Sequence, residues 1–507
     1  MRRLSRALFA LAAVLLCSTA GMGGRAAAAP VIDVTASGVR VADEPALDGP
    51  WSLAGPVPAT RAARAATTPA AYASRRDAVK QTIHGAFDRG AIDAATRDQY
   101  LGSWTAALRT YGALRGQRRR ELGYVIETIG RLAAKKRLAV RLAPLFLILD
   151  RNREWWSKAG PPASGARLRF GASRVIFQYF PGEGLQLHPL ANFGQANGFW
   201  YAHRENDLRS LLEDLQSIAV DRGGFLTWEY YFAYGGGAAP WISGMAQGTA
   251  MQAYARASQR LADPGLLAVA QRARGAFERS TPVGVHAPQG SQDWYVLYSF
   301  APRLNVLNGM LQAVNGVRTY AEIAGDATAQ KLFESGDRTA RAVIGGFDTG
   351  AWSLYDRPGG RPGHEANLNY HTLNRDFARN LCKATKAEAY CTAEKNFTAY
   401  LKEDPTFDPY SAVPSPATGG KGVRFRFRLS KIGRAGIVVK DSGSGRTYLS
   451  TSLFLAHGEH YFRWIPPRRR GEHTYTFTLY GRDLAGNSSS VTGDLRVQGS
   501  SRGNPGV

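Results

Sequence analysis

The hydrophobic period of this chain changes once, near residue 420, and that change fixes two kinds of architecture in one polypeptide. From Leu190 to about Asp404, apolar residues recur at helical spacing in long amphipathic stretches: 242–262, 266–278, 304–324 and 327–344. Pro264-Gly265 separates the first two. Paired helices joined by Gly- and Pro-rich loops predict an (α/α) toroid or incomplete barrel over 166–405, opening on short strands near Arg167 to Gln178. From Val423 the period becomes two: Phe425, Phe427 and Leu429 alternate with arginine, and Tyr475, Phe477 and Leu479 with threonine. Residues 421–498 therefore read as an all-β sandwich, Ig-like or fibronectin-like. The expected fold is multidomain and mainly α, with this β-module at its C-terminal end.

The remaining segments follow from local composition. Arg2, Arg3 and Arg6 precede a short apolar run, Leu8 to Leu16, and a small-residue stretch that ends before Pro30. This is the pattern of a secretory signal peptide at 1–29. The run is too short to cross a bilayer as a helix, which takes roughly 20 residues. The leader predicts a secreted bacterial protein with no integral membrane segment after cleavage. Residues 30–70, rich in Ala, Pro and Thr, read as a linker. Residues 71–165 read as helices, with Tyr100, Leu101, Trp104, Leu108 and Tyr111 at helical spacing. Their basic runs at 118–120 and 135–137 read as solvated faces. Residues 406–420 read as a second linker, and 499–507 as a tail. At 507 residues the chain is too long for one ordinary core.

Charge and cysteine usage narrow the partners. The formal net charge is +24. Loss of the leader removes Arg2, Arg3, Arg6 and Arg25 but no acid, so the mature chain stays basic. A positive field favours acidic partners. Nucleic acid, an acidic cell surface and an anionic polysaccharide all qualify on charge alone. Beyond the leader only Cys382 and Cys391 remain, flanking a turn between two helices. In an exported chain that pair predicts a disulfide stapling a helical hairpin. No CxxC, HExxH or EF-hand spacing occurs, so no metal site is expected.

Four segments of the helical region are unusual for plain packing. They are Phe180-Pro-Gly-Glu-Gly-Leu-Gln-Leu-His-Pro-Leu; Trp241-Ile-Ser-Gly-Met-Ala-Gln-Gly; Asp293-Trp-Tyr-Val-Leu-Tyr with Val306-Leu-Asn-Gly; and Phe347-Asp-Thr-Gly with Ser353-Leu-Tyr-Asp-Arg and Asn369-Tyr-His-Thr. In this order and at these intervals they resemble the C-terminal domain of the D-glucuronyl C5-epimerase family, over roughly residues 170–405. The resemblance implies epimerisation of D-glucuronate to L-iduronate within a polysaccharide, with no redox cofactor. It also implies an anionic, uronate-containing polysaccharide as partner and no nucleic acid. Family members are often dimers, so a homodimer is an expectation by analogy alone.

The family site uses three tyrosines, which by motif fall on Tyr298, Tyr355 and Tyr370. The resemblance puts Tyr298 or Tyr370 as base and acid, with Tyr355 assisting. Asn308 and Arg357 are expected to hold the uronate carboxylate, and His371 to orient Tyr370. His188 and Gln247 are candidate substrate contacts; a turn-capping role for His188 fits its place before Pro189 as well. Animal members carry glutamate directly before the first tyrosine, where this chain has Leu297. The C5 hydrogen is alpha to a carboxylate and only weakly acidic, so a base must face it and an acid must wait on the other face of the ring. A tyrosine base, pKa near 10, is expected to be lowered by nearby cations. Two other readings stay open. One is a uronate polysaccharide lyase, which shares the proton abstraction; the other is a non-catalytic glycan-binding protein. Asp348 and Asp356, in Asp-Thr-Gly and Asp-Arg-Pro-Gly, read as turn residues. In the β-module, Trp464 or Tyr461 are candidate glycan contacts, against a plain spacer role.

Overall fold

The computed structural model describes residues 30–36, 38–44, 46, 69–359, 361–409 and 417–499. The expected leader lies outside these, as do most of the first expected linker, part of the second and most of the tail.

Four helices come first: α1 (Pro69–Asp88), α2 (Ala94–Ala113), α3 (Gly116–Ala134) and α4 (Leu142–Lys158). In α3 the buried Leu122, Val125, Ile126, Ile129 and Leu132 form one stripe at helical spacing. Arg118, from the basic run, caps the end of α4: its Nε donates to the Trp156 carbonyl at 2.7 Å.

A five-stranded sheet follows in space, though not in sequence. Its strands are β1 (Pro30–Thr35), β2 (Gly38–Asp43), β3 (Arg167–Phe170), β4 (Ile176–Phe180) and β5 (Gly184–Leu187), in the order β2-β1-β3-β4-β5. The lead-in is thus partly ordered, which corrects the linker reading of 30–70. β1 runs parallel to β3, Val31 opposite Arg167. Asp33 lies 2.8 Å from Arg169, and Glu44 joins Arg169 at 3.1 Å. These buried ion pairs tie the segment down.

Eight helices then form four hairpins: α5 (Pro189–Tyr201) with α6 (Glu205–Ser217), α7 (Gly244–Arg260) with α8 (Pro264–Glu278), α9 (Leu307–Ala324) with α10 (Ala327–Val343), and α11 (Leu368–Thr385) with α12 (Glu388–Tyr400). Short strands sit between them: β6 (Val220–Asp221), β7 (Leu226–Thr227), β8 (His286–Gln289), β9 (Gln292–Tyr295), β10 (Leu304–Val306), β11 (Leu354–Pro358) and β12 (His364–Glu365). α7 packs on both α5 and α9, and α9 packs on α11. The first helix of each hairpin is therefore inner and the second outer, the layout of an incomplete (α/α) barrel. Close approach of α7 and α9 depends on glycine: a Cβ on Gly316 would meet the Gly248 carbonyl oxygen at 2.1 Å. Cys382 of α11 and Cys391 of α12 are joined by a disulfide, Cα atoms 4.9 Å apart. One continuous hydrophobic core runs from Val34 to Tyr400, so α1–α4 share a core with the hairpins and do not stand apart.

The C-terminal part has its own core. Its strands are β13 (Phe407–Pro409), β14 (Ala417–Thr418), β15 (Val423–Leu429), β16 (Gly433–Asp441), β17 (Thr447–Leu455), β18 (Gly458–Trp464), β19 (Glu472–Asp483) and β20 (Ser488–Gln498). They form two sheets, β13-β15-β18 and β14-β20-β19-β16-β17. Phe425, Phe427, Ile437 and Tyr475 fill the space between them. Trp464 is buried in this core, which removes it as a glycan contact, whereas Tyr461 faces outward. The sandwich docks on the helical part through Lys431, which is 1% exposed. Its Nζ donates to the Tyr400 carbonyl at 2.7 Å and lies 3.3 Å from Asp483.

Candidate active site

Every inner helix of the barrel begins at the same cavity. His188 caps α5, Ser243 caps α7 and Asn367 caps α11, and Asn308 is the second residue of α9. All four line a cavity of about 320 Å³. Helix N-termini carry partial positive charge and free N–H groups, so this arrangement favours an anion. Three of the four N-termini have a side-chain cap: His188 Nδ1 accepts from Ala191 N at 3.1 Å, Ser243 Oγ from Ala246 N at 3.2 Å, and Asn367 Oδ1 from Tyr370 N at 2.9 Å. The N-terminus of α9 has no side-chain cap. Beside it, the buried Asn308 amide has no hydrogen-bond partner for Oδ1 or Nδ2 among the described residues. A buried amide left unpaired costs free energy that a ligand's polar groups can recover.

Three phenols converge on this cavity from separate parts of the chain. Tyr298 comes from the segment after β9, Tyr355 from β11 and Tyr370 from the first turn of α11. The hydroxyls of Tyr298 and Tyr355 lie 3.1 Å apart, and the rings of Tyr355 and Tyr370 are 4.5 Å apart. Tyr355 is thus the middle member. It sits at a β-bulge: Leu354 pairs with Glu365 and Asp356 with His364, so two steps on β11 answer one on β12.

The electrostatics differ from the expectation. No lysine or arginine lines the cavity among the described residues, and all three phenols are pushed up. Burial raises Tyr298 well above the usual value, with Tyr355 and Tyr234 adding to it. Burial, then the neighbouring Tyr370, raises Tyr355. Tyr370 is pushed up to about 12, by burial first and Tyr234 second. Expected cationic lowering is therefore replaced by a raised, neutral resting state. His188 is pushed down to about 3, by burial first and the charge of Arg167 second. With Nδ1 accepting a backbone N–H, neutral His188 carries its proton on Nε2 and serves as a donor.

Three expected contacts lie elsewhere. Arg357 lines a separate depression with Gly346 and Phe347, its guanidinium 6.0 Å over the Phe347 ring. The bulge at Tyr355 breaks the two-residue parity that would have aimed both side chains alike. His371 is fully buried. Its Nδ1 meets Ser353 Oγ at 2.8 Å, its Nε2 the Phe397 carbonyl at 2.9 Å, and its ring stacks on Trp352. Gln247 is spent on the backbone of Trp228 and Leu226. The two aspartates hold turns: Asp348 accepts from Gly350 N, and Asp356 from His364 N.

The cavity also uses residues that sequence motifs missed. Tyr234 stacks on Tyr298 at 5.2 Å, and Tyr230 lies flat on Trp241 at 4.0 Å. The aromatic run Trp228 to Tyr234, beside a Gly-rich turn, is the signal that marks them. Gln178 lines the wall from β4, with Arg167 directly opposite on β3. The guanidinium that acts on the pocket is therefore that of Arg167, through His188, and not that of Arg357. No group of three or more His, Cys, Asp or Glu fit to hold a metal occurs among the described residues, and none of their helices is long and apolar enough to cross a membrane.

All three phenols of the cavity fall within one segment that matches a known family. Residues 222–399 match the family model described as D-glucuronyl C5-epimerase C-terminus. A D-glucuronyl C5-epimerase of Caenorhabditis elegans is 29% identical over 150 residues, covering 26% of this chain and 24% of that protein. The chain thus spans about a quarter of the length of that curated relative. Among solved structures, a cellobiose 2-epimerase of Bacillus thermoamylovorans B4167 shares 11% identity, covering 56% of this chain and 75% of that one at a TM-score of 0.34. A sugar epimerase from a ruminal bacterium shares 12%, covering 69% and 82% at 0.36. Likeness at that level is too slight to bear on substrate or mechanism.

Proposed function

We propose that this protein is an exported C5-epimerase acting on uronate residues of an extracellular anionic polysaccharide, of the D-glucuronate to L-iduronate type. The observation that supports it most is the meeting of Tyr298, Tyr355 and Tyr370, distant in sequence, at the N-termini of four inner helices.

The chemistry follows from charge. Removing the C5 proton turns the carboxylate into an enediolate, whose added charge needs donors. The uncapped start of α9, the Asn308 Nδ2 and the Nε2–H of His188 supply them without a lining arginine. Base and acid come from the phenols. Ionisation costs least at Tyr370, so Tyr370 is the base. The hydrogen-bonded pair of Tyr298 and Tyr355 returns a proton to the opposite face. A cycle needs one phenolate among the three. Since all three rest protonated, the working form arises by loss of one proton to solvent, and each pH unit below the raised pKa of Tyr370 reduces it tenfold. After one turnover Tyr370 is neutral and the pair carries the charge; the reverse reaction runs with roles exchanged.

The test is solvent exchange on a glucuronate–glucosamine polymer in deuterium oxide. Deuterium at C5 with no new chain ends supports the proposal. Unsaturated ends absorbing in the ultraviolet identify a lyase, and binding with neither product identifies a carbohydrate-binding protein; either result removes the epimerase reading.

A further inference from the structure

The β-sandwich carries a basic face that its own packing does not require. In β15 the burial alternates strictly, and each outward position is an arginine: Arg424, Arg426 and Arg428. Across the pair with β18, Arg424 stands directly opposite Arg463, and Arg426 opposite Tyr461. Like charges directly opposite on a sheet destabilise it. No carboxylate forms an ion pair with Arg424, Arg426 or Arg463 among the described residues. Arg428 differs, standing opposite Asp408 on one side and Glu459 on the other. The unneutralised part of the row therefore lies at its outer end, where Arg468 also folds against Gly420. The Arg424 guanidinium sits 5.2 Å over the ring of Tyr461, which is 56% exposed. From Arg424 to Arg428 the row spans about 13 Å at strand rise.

The inner end of this row meets the catalytic domain. His457, one residue before β18, and Ile432, three after β15, both bind Glu365, and Glu365 lies two residues before Asn367 on the cavity wall.

We infer that the outer face of the β13-β15-β18 sheet is a second binding surface for an anionic polysaccharide, holding a stretch of the polymer outside the cavity. The choice of a uronate polymer as occupant rests on the function proposed above. A cationic row with an aromatic ring suits a linear chain of carboxylates. It supplies avidity, so that long polymer is held at two places and a short oligosaccharide at one.

The experiment uses the full chain and a glucuronate–N-acetylglucosamine polymer on a sensor surface, over a series of salt concentrations. The variant Arg424→Ser/Arg426→Ser/Arg463→Ser is expected to weaken polymer binding at least tenfold at low salt and to flatten its salt dependence. The matched control Lys135→Ser/Arg137→Ser/Lys402→Ser removes the same charge from exposed turns of the helical part and is expected to shift binding less than twofold. KM for long polymer should rise in the first variant while KM for a tetrasaccharide stays unchanged. Equal losses in both variants, or a tetrasaccharide KM that rises in step with the polymer's, overturn the surface. Loss of binding to single-stranded DNA alone also overturns it, in favour of a nucleic-acid site. Tyr370→Phe keeps the two proposals apart: it should retain polymer affinity while abolishing exchange. Polymer binding that depends on the arginines, in a protein showing no C5 exchange, leaves the surface standing and the epimerase reading fallen.

Discussion

At the level of single residues, the phenols were legible because each sits in a short motif with fixed neighbours, and Asn308 for the same reason. Arg357 was not, because a bulge is a property of the pairing of β11 with β12 and leaves no mark in Leu-Tyr-Asp-Arg itself. The sign of the phenol shifts was also hidden, since it depends on what lines the cavity and not on Tyr370's neighbours in sequence. Three predictions belong here. Tyr370→Phe should lower exchange by at least a hundredfold with polymer affinity within about twofold, the range for loss of a general base. In the wild type, log kcat should climb with a slope near one from pH 7 to 9, because the raised Tyr370 must lose its proton to act. A flat profile in Tyr370-intact protein would remove it as base. Asn308→Leu should act oppositely on stability and function. It replaces an unpaired buried amide by an apolar side chain of similar size, so the unfolding midpoint should rise, by the equivalent of about 1 kcal/mol, while exchange collapses. A lowered midpoint would show that the amide is paired.

At the level of elements, helical spacing located the hairpins, and the ends were set by caps. Pro264-Gly265 reads as a break, yet both residues lie in the first turn of α8, because Asp263 caps it and proline suits the first helical position. The helix expected from 242 starts at Gly244, after the Ser243 cap. β1 was invisible for a different reason: six residues flanked by Ala/Pro-rich sequence, whose partner β3 lies far along the chain, carry no local periodic signal. The disulfide bears on function through α11, whose first turn presents Tyr370 and whose next residue, His371, bonds to the Phe397 carbonyl in α12. Bridging so short a loop is worth about 2–3 kcal/mol by chain entropy. Cys382→Ser/Cys391→Ser should therefore lower the thermal midpoint by several degrees and reduce kcat, with a reducing agent reproducing both effects on the wild type and neither on the variant. Unchanged kcat at a lowered midpoint would separate the bridge from the site.

At the level of the whole molecule, the two architectures were legible as a change of period, but their union was not, since docking is written in single residues of otherwise ordinary turns. Lys431 and His457 lie in the β-module's loops, and Glu365 in a two-residue strand. Together they make the module part of the site's support. The Glu365 side chain is buried and accepts from Ile432 N at 3.0 Å, His457 N at 2.7 Å and His457 Nδ1 at 2.9 Å. That grips β12, the neighbour of the strand bearing Tyr355, just ahead of Asn367 and Tyr370. The His457 imidazole is raised, first by its hydrogen bond to Glu365 and further by that carboxylate's charge. A raised histidine adds stability that is full below its unfolded pKa near 6.5 and is lost as pH rises through the folded value. The thermal midpoint of the wild type should fall from pH 6 towards 8, and His457→Gln should lose that part of the dependence. Glu365→Ala should go further and lower kcat on a tetrasaccharide severalfold, though that substrate is too short to reach the basic face and no residue lining the cavity has changed. If kcat holds while the midpoint falls, the sandwich is a spacer carrying a polymer-binding face; if both fall, the module braces the strand and helix start from which two of the three phenols project.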